Sequence, residues 1–169
     1  MSLSVFFAER AADTDPDSKP VYPPGTILIR AGGRKADIAK SLLVREAVFV
    51  REQNVPAELE HDEHDAEALH LLALDTDTGE PVGTARVLDK GNGVAKIGRV
   101  AVLPAYRGRG IGRLLMEAAH KTTGELRFTM LVLDAQVAVI SFYERLGYVA
   151  EGDVFDDAGI PHRRMTRMV

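Results

Sequence analysis

The chain has no cysteine and no tryptophan, and only 6% of its residues are aromatic. Without a thiol it can form no disulfide and no thiolate metal ligand, and a covalent acyl-cysteine intermediate is excluded. The sequence also lacks an apolar run long enough to span a bilayer, and its first residues contain neither a basic segment nor a long apolar centre. We therefore expect a cytoplasmic protein that does not act in a membrane.

An excess of positive charge is also missing. The formal net charge is −4, whereas a general nucleic-acid binder carries a basic stripe, so that class of function is disfavoured. With 169 residues, 46% of them hydrophobic, the chain can form one domain with its own core. Residues 11–25 are rich in Asp, Pro, Ser and Thr, so we predict a flexible extension over residues 1–25 and a folded domain over residues 26–169.

The sequence contains short apolar runs separated by residues typical of turns. They predict strands at residues 26–30, 68–74, 82–88, 94–103, 127–133, 148–155 and 162–169, and helices at 37–54, 111–124 and 138–146. The strands at 68–74, 82–88 and 94–103 should form an antiparallel meander, because short turns join them. The whole pattern predicts an α/β (α+β) fold with one mixed, mostly antiparallel sheet and flanking helices.

The most informative stretch joins the strand at 94–103 to the helix that follows it. It reads Arg107-Gly108-Arg109-Gly110-Ile111-Gly112, and its glycines allow a tight turn and a close approach of a ligand to the backbone. The unpaired N–H groups at the helix start carry partial positive charge, so the turn predicts an anion site suited to a diphosphate. Its spacing fits neither a P-loop nor a dinucleotide-binding turn. The alternative is an ordinary flexible turn.

The order of the motifs resembles that of the GCN5-related N-acetyltransferases (the GNAT superfamily). The turn at 107–112 after Val100-Ala101-Val102 is similar to their acetyl-CoA signature, and Phe142-Tyr143 with Gly147-Tyr148 is similar to their later strand-helix segment. Three further segments resemble the ElaA-like, or YjcF-like, branch: residues 45–53, Ala135-Gln136 and residues 159–162. The chain departs from the wider superfamily in having Arg107 where Gln is also common and Gln136 near where many members have Asn.

The resemblance implies an acetyl-CoA-dependent N-acetyltransferase that transfers the acetyl group directly to a primary amine. It implies that the strands at 94–103 and 127–133 splay apart around the pantetheine arm, with a β-bulge near residues 98–100 and an oxyanion-binding N–H near Val100 or Val102. No metal is expected. The implied cofactor-binding residues are Val100, Ala101, Val102, Arg107, Gly108, Arg109, Gly110, Ile111, Gly112, Gln136 and Tyr143.

Three residues are candidates for proton transfer. Tyr143 is the candidate general acid for the leaving thiolate, and the alternative for it is an aromatic core residue. Glu52, His162 or an ordered water is the candidate base that deprotonates the acceptor ammonium. Arg45 and Glu52 lie on one face of the predicted helix, so Arg45 could hold Glu52 at the acceptor pocket. The alternative for Glu52 is a surface carboxylate at the helix end.

The segment His61-Asp62-Glu63-His64-Asp65 contains the residue types that bind metals. It has no helix to set a ligand spacing, so we predict no metal site and interpret it as a solvated loop near the acceptor entrance. Its negative charge would then favour a cationic, amine-bearing substrate. His70 interrupts an apolar strand and is expected to be a hydrogen-bonded core histidine.

Two other functions stay open at this point. One is a non-catalytic GNAT-fold module that binds acetyl-CoA as a sensor or structural ligand, and the other is the binding of a different phosphate ligand. If the chain is an enzyme, small-molecule amines and protein amines are both open as acceptors. We expect a monomer or a homodimer, since the C-terminal strands present an exposed sheet edge.

Overall fold

The computed structural model describes residues 22–32 and 35–169, together with residues 5–8 as backbone. The strands in these residues are β1 (Val5–Ala8), β2 (Ile27–Gly32), β3 (Leu69–Asp75), β4 (Pro81–Asp89), β5 (Val94–Val102), β6 (Met130–Gln136), β7 (Val149–Asp157) and β8 (Ile160–Met168). The helices are α1 (Lys35–Arg45), which continues as a π-helix over Glu46–Glu52, α2 (Ala57–Glu60), α3 (Ile111–Glu125) and α4 (Ile140–Glu144).

The sheet is mixed and mostly antiparallel, as the sequence predicts. Its strand order is β1-β2-β3-β4-β5-β6-β8-β7. Only the pairs β1/β2 and β5/β6 are parallel among the described strands, and β3, β4 and β5 form the predicted meander. β1 lies within residues 1–25, so the sheet begins before the predicted start of the domain. The rest of the predicted extension, up to residue 21, lies outside the described residues.

The boundaries of α3 and α4 differ from the prediction. α3 passes through Gly124 and ends one residue later, because Arg127 and not Gly124 adopts the left-handed conformation (φ +61°). The Arg127 N–H donates to the Gly124 carbonyl at 2.9 Å and the Phe128 N–H donates to the Thr123 carbonyl at 3.0 Å, which closes the helix end as a Schellman motif. α4 is shorter than predicted because its first turn, Val137–Val139, is a 3₁₀ helix.

The predicted helix at residues 37–54 has the expected extent but two different geometries. Its first half is α-helical, and the second half is the π-helix Glu46–Glu52, which the Gln53 N–H closes on the Val48 carbonyl at 3.1 Å. Asn54 (φ +58°) and Pro56 then turn the chain away. A π-helical turn contains more residues than an α-helical turn. Residues that an ideal α-helix would place on one face are therefore rotated apart here.

The main core lies between α3 and the sheet. Its fully buried side chains include Leu71, Ile97, Ile111, Leu115, Met116, Leu131 and Met165. α3 approaches β4 closely at Gly83, where a Cβ atom would lie 3.1 Å from Leu115 Cδ1 and 3.2 Å from the Ala101 carbonyl oxygen. This packing places the N-terminal end of α3 beside the end of β5. None of the helices in the described residues combines the length and apolar character needed to cross a membrane.

Candidate active site

The site begins where two parallel strands separate. β5 pairs with β6 only through Val94–Lys96, opposite residues 130–132, and the two strands then diverge. β5 also contains a bulge, because Thr84 of β4 pairs with Ala101 and Arg86 pairs with Gly98, so that two residues of β5 face one residue of β4. The splay and the bulge confirm the expectations drawn from the sequence. The side of β5 that faces β6 beyond Lys96 therefore has backbone groups that no neighbouring strand pairs.

A cleft of about 560 Å³ fills the gap between the diverging strands. One wall is β5, the other is β6 with the start of α4, and the β7–β8 turn and the π-helix close the ends. The residues that line it are Val48, Phe49, Gln53, Val55, Leu59, Glu60, Lys96, Ile97, Gly98, Arg99, Val100, Ala101, Val102, Arg107, Leu133, Asp134, Gln136, Val139, Tyr143, Asp157, Ala158, Ile160 and His162. The predicted residues Val100, Ala101, Val102, Arg107, Gln136, Tyr143 and His162 thus meet in one cavity.

The turn between β5 and α3 is open on the side where a ligand would approach. Gly108 (φ +74°) and Gly110 (φ +80°) are left-handed, and a Cβ atom at either position would meet no atom of the described residues within 4 Å. Gly110 is the N-cap of α3 and offers no capping side chain, so the first amides of the helix are available to an anion. This cradle fits the diphosphate of a CoA thioester. At Gly112 a Cβ atom would lie 3.6 Å from Phe142 Cζ, which is an ordinary van der Waals distance.

Arg107 and Glu52 form an ion pair beside the cradle. The Arg107 guanidinium donates to both Glu52 carboxylate oxygens at 2.7 and 2.6 Å, and its Nε donates to the Val102 carbonyl at 2.9 Å. The hydrogen bonds from Arg107 lower the pKa of Glu52. The prediction that Arg45 holds Glu52 is wrong, because the π-helix rotates Glu52 away from the face that Arg45 occupies.

Arg45 belongs to a buried ion network behind the cleft. It binds the Glu60 carboxylate, and its guanidinium donates to the two Asp65 oxygens at 2.6 and 3.1 Å. Arg86 donates to Asp62 at 2.6 and 2.9 Å and to Asp65 at 2.8 Å. Burial raises the pKa of Asp65, but hydrogen bonds from Arg45 and Arg86 outweigh it and lower the pKa to about 2. The segment at residues 61–65 is solvated as predicted at His61, Glu63 and His64, which are exposed. Its two aspartates are bound by arginines, so they do not supply the free negative charge that the prediction assigns to the acceptor entrance.

The same segment positions a buried histidine. His70 is 1% exposed, and its Nε2 lies 2.8 Å from the Asp65 carbonyl oxygen, which confirms the expected hydrogen-bonded core histidine. Within the part of the chain that the structure describes, no group of three or more histidine, aspartate or glutamate side chains is arranged to hold a metal ion.

Tyr143 lies at the cleft wall with its ring in the core. The ring packs edge-on against Phe142, with centroids 4.9 Å apart, and against Tyr148, with centroids 6.0 Å apart. Its hydroxyl makes no hydrogen bond to any described residue. Burial raises the pKa of Tyr143 to about 12, so the phenol is protonated at neutral pH.

His162 lies in β8, which begins two residues before the strand that the sequence predicts at 162–169. It pairs with Gln136 of β6 and with Phe155 of β7, whose ring stacks on the imidazole. His162 Nδ1 lies 2.8 Å from the Ile160 carbonyl, which can only accept, so Nδ1 carries the proton. Nε2 of the neutral ring is then an acceptor. Gln136 donates across the cleft to Gln53 at 2.8 Å.

The sequence does not single out two charged residues of the cleft. Arg99 has a left-handed backbone (φ +52°) in the bulge, and a charged residue inside an apolar strand was the available signal. Asp157 reaches the cleft from the β7–β8 turn, and nothing in its local sequence distinguishes it from the other acidic residues there.

Comparison with known proteins places this fold in the class of acyl-CoA-dependent acyltransferases. The fold is similar to that of an acyl-CoA N-acyltransferase from Pseudomonas aeruginosa, with a TM-score of 0.75 and 31% identity over 84% of this chain and 99% of that one. The crystal structure of Escherichia coli ElaA matches with a TM-score of 0.75 and 30% identity over 84% of this chain and 99% of that one. The uncharacterized N-acetyltransferase YjcF of Bacillus subtilis is 40% identical over 141 residues, which cover 79% of this chain and 99% of YjcF.

The particular family follows from residues 32–169, which match the model of the acetyltransferase (GNAT) domain. The chain belongs to the GNAT acetyltransferase family, in the branch that contains YjcF and ElaA. It is therefore an acetyltransferase whose fold binds an acyl-CoA cosubstrate and serves transfer to amine acceptors.

Proposed function

We propose that the protein transfers an acetyl group directly from acetyl-CoA to a primary amine of a small molecule or a protein. The observation that carries the proposal is the cleft between β5 and β6, which joins the open cradle at residues 107–112 to Tyr143 and His162. The absence of cysteine favours direct transfer, because it removes the usual thiol nucleophile for an acyl-enzyme. A cytoplasmic monomer or homodimer stays the expected form.

The residues present fit such a cosubstrate. The amides of residues 107–112 would hold the diphosphate, while backbone groups of Val100, Ala101 and Val102 that face away from β4 would bind the pantetheine arm. The cosubstrate supplies an activated acetyl group as a thioester. A backbone N–H near Val100 or Val102 would donate to the oxyanion that forms as the amine attacks.

In the proposed reaction the neutral amine nitrogen bonds to the carbonyl carbon, the carbon–sulfur bond breaks, and the thiolate leaves. The nitrogen, which is positively charged after the attack, loses a second proton to solvent water and becomes the neutral amide. Tyr143 donates a hydrogen bond to the leaving sulfur. The pKa of Tyr143 is about 12, which lies above the roughly 8.5 of an ordinary protein thiol, so a hydrogen bond is favoured over full proton transfer.

Of the two candidate bases, His162 has the better geometry. Its Nε2 can accept the proton from the acceptor ammonium, because Nδ1 already donates to the Ile160 carbonyl. Glu52 is engaged at both oxygens by Arg107, and the lowered pKa makes it a weaker base. We propose that Glu52 holds Arg107 at the cradle and that His162 deprotonates the amine.

The test is a calorimetric titration with acetyl-CoA of the native protein, Gly110→Val and Gly79→Val. Gly79 is the matched control, because it also has a left-handed backbone (φ +74°) and open space around its Cβ position but lies outside the cleft. We expect the native protein and Gly79→Val to bind, and Gly110→Val to bind roughly tenfold more weakly or worse, since its side chain fills the cradle.

Turnover is then measured as thiol release with a panel of primary amines. Release with at least one amine, with initial-rate patterns of a ternary complex, supports direct transfer. A folded native protein that does not bind acetyl-CoA would overturn the proposal. Binding without release for every amine would favour the non-catalytic sensor instead.

A further inference from the structure

In the part of the chain that the structure describes, every charged side chain that lines the cleft has at least one oppositely charged partner, with one exception. The charged lining residues among those described are Glu60, Lys96, Arg99, Arg107, Asp134 and Asp157. Lys96 binds Asp134 at 2.7 Å, Arg99 lies 3.0 Å from Glu60, and Arg107 is held by Glu52 just outside the lining. Within the described residues, Asp157 alone of this set makes no hydrogen bond or ion pair through its side chain.

The hairpin of β7 and β8 places Asp157 at the part of the cleft that contains His162, where the acceptor amine would react. Asp157 pairs with Ile160, and Phe155 pairs with His162. Residues two apart on a strand, and residues directly opposite across an antiparallel pair, share a face of the sheet. Asp157 and His162 are therefore diagonal neighbours on the cleft face, whereas Asp156 points to the other face and accepts from the Gly159 N–H at 3.0 Å. The free carboxylate thus lies beside the proposed base.

We propose that the acceptor is an amine with a second cationic group, of the diamine class, and that Asp157 binds that second group. The inference rests on the proposed function, since it assigns the acceptor end of the same cleft. A second ammonium would give Asp157 the partner it lacks, while the first amine reacts near His162. An anionic acceptor would meet an uncompensated like charge in the cleft.

This assignment replaces the one drawn from the sequence. The sequence predicts that residues 61–65 attract a cation, but in the structure Asp62 and Asp65 are already bound by arginines. A neutralised aspartate contributes little field to the cleft, whereas a free carboxylate at its rim can bind and select an acceptor. The residue that would set the preference therefore lies on the C-terminal hairpin.

The experiment compares putrescine with butylamine, which is the same chain without the second amine. Each is titrated by calorimetry into protein saturated with CoA, so that binding is read without turnover, and kcat and KM are measured separately with acetyl-CoA. The variants are Asp157→Asn and the matched control Asp153→Asn, because Asp153 is an exposed aspartate of β7 outside the cleft.

We expect the native protein and Asp153→Asn to bind putrescine at least about fivefold more tightly than butylamine, a preference that weakens as salt is added. Asp157→Asn should lose this preference and leave butylamine and acetyl-CoA binding unchanged. Equal binding of both amines by the native protein, or an unchanged preference in Asp157→Asn, overturns the proposal. Diamine binding that depends on Asp157 but gives no acetylation would keep Asp157 as the site of a second ammonium, but it would overturn both the diamine as acceptor and the proposed function.

Discussion

Tyr143 combines a buried ring with a position at the wall of the cleft. Phe142 and Tyr148 hold the ring by edge-on contacts, and the hydroxyl has no hydrogen-bond partner among the described residues. The desolvation that raises its pKa to about 12 keeps the phenol protonated at all physiological pH values. One residue thus closes the core and offers the cleft a hydrogen-bond donor whose state does not change with pH.

Replacing Tyr143 with Phe removes this donor and leaves the packing nearly unchanged. We expect kcat to fall roughly 10- to 100-fold, because the leaving thiolate loses its hydrogen bond, while the Kd for acetyl-CoA stays within about twofold. Steady-state kinetics and calorimetric titration measure the two quantities.

Tyr148→Phe is the control, since Tyr148 is a neighbouring buried phenol that bonds to His120 at 2.9 Å and does not line the cleft. It should retain the native rate. A Tyr143→Phe variant that also retains the native rate would show that the hydroxyl has no part in the reaction.

The residues that could be predicted from the sequence are those whose role is local. Gly108 and Gly110 need left-handed backbones within one short turn, and their spacing before α3 is visible in the sequence. Partnerships across the fold were not predictable in the same way. The π-helix rotates Glu52 towards Arg107, and the choice of Arg45 and Arg86 as partners of Asp65 depends on how the strands and helices pack.

The bulge of β5 is the element on which the splay depends. Arg99 has a left-handed backbone there, and its side chain ties the bulge to the end of α2 by donating to the Leu59 carbonyl at 3.0 Å and pairing with Glu60. The resemblance to the GNAT superfamily implies the position of the bulge but not this tie, because the tie joins residues about forty positions apart. A strained residue beside the site is thus held by its own side chain.

Comparing Arg99→Gly with Arg99→Ala separates the cost of the left-handed backbone at residue 99 from the contribution of the Arg99 side-chain contacts. Both variants lose the side-chain contacts, but only glycine adopts φ +52° without cost, so we expect Arg99→Ala to be less stable by about 1 kcal/mol. For a chain of this length that corresponds to a melting temperature roughly 2–4 °C lower. Scanning calorimetry measures it.

In an ordinary β-strand the order of stability is the reverse, because a protein with glycine in a strand interior is less stable than the same protein with alanine there. An alanine variant as stable as the glycine variant, or more stable, would contradict a strained bulge at this position. If the tie positions the backbone of Val100, kcat falls by the same factor in both variants.

At the scale of the whole molecule, a contact between His120 and Tyr148 joins α3 to the start of the C-terminal hairpin. His120 of α3 meets Tyr148, just before β7, with a ring nitrogen 2.9 Å from the phenol oxygen and ring centroids 5.6 Å apart. Burial, and then the nearby charge of Arg167, lower the pKa of His120 to about 4. The histidine is neutral in the folded protein at neutral pH, and protonating it there places a charge in a half-buried contact.

This contact predicts how the stability of the whole protein varies with pH. The pKa of His120 is about 4 when folded and about 6.5 when unfolded, so between these values the unfolded state binds more protons. The free energy of unfolding is therefore highest above pH 6.5 and falls as the pH drops towards 4. Because the side chain is only half-buried, we discount the full linkage and expect a loss of about 1–2 kcal/mol.

Melting temperatures measured from pH 7.5 to 4.5 should fall by several degrees in the native protein, and His120→Gln should remove much of this dependence. Asp65 does not interfere, because a carboxyl with a pKa of about 2 loses its stabilising charge only below its ordinary value of 3.8. A native protein with the same melting temperature at pH 7 and pH 5 would contradict the buried neutral histidine. An equal fall in His120→Gln would assign the pH dependence to another group.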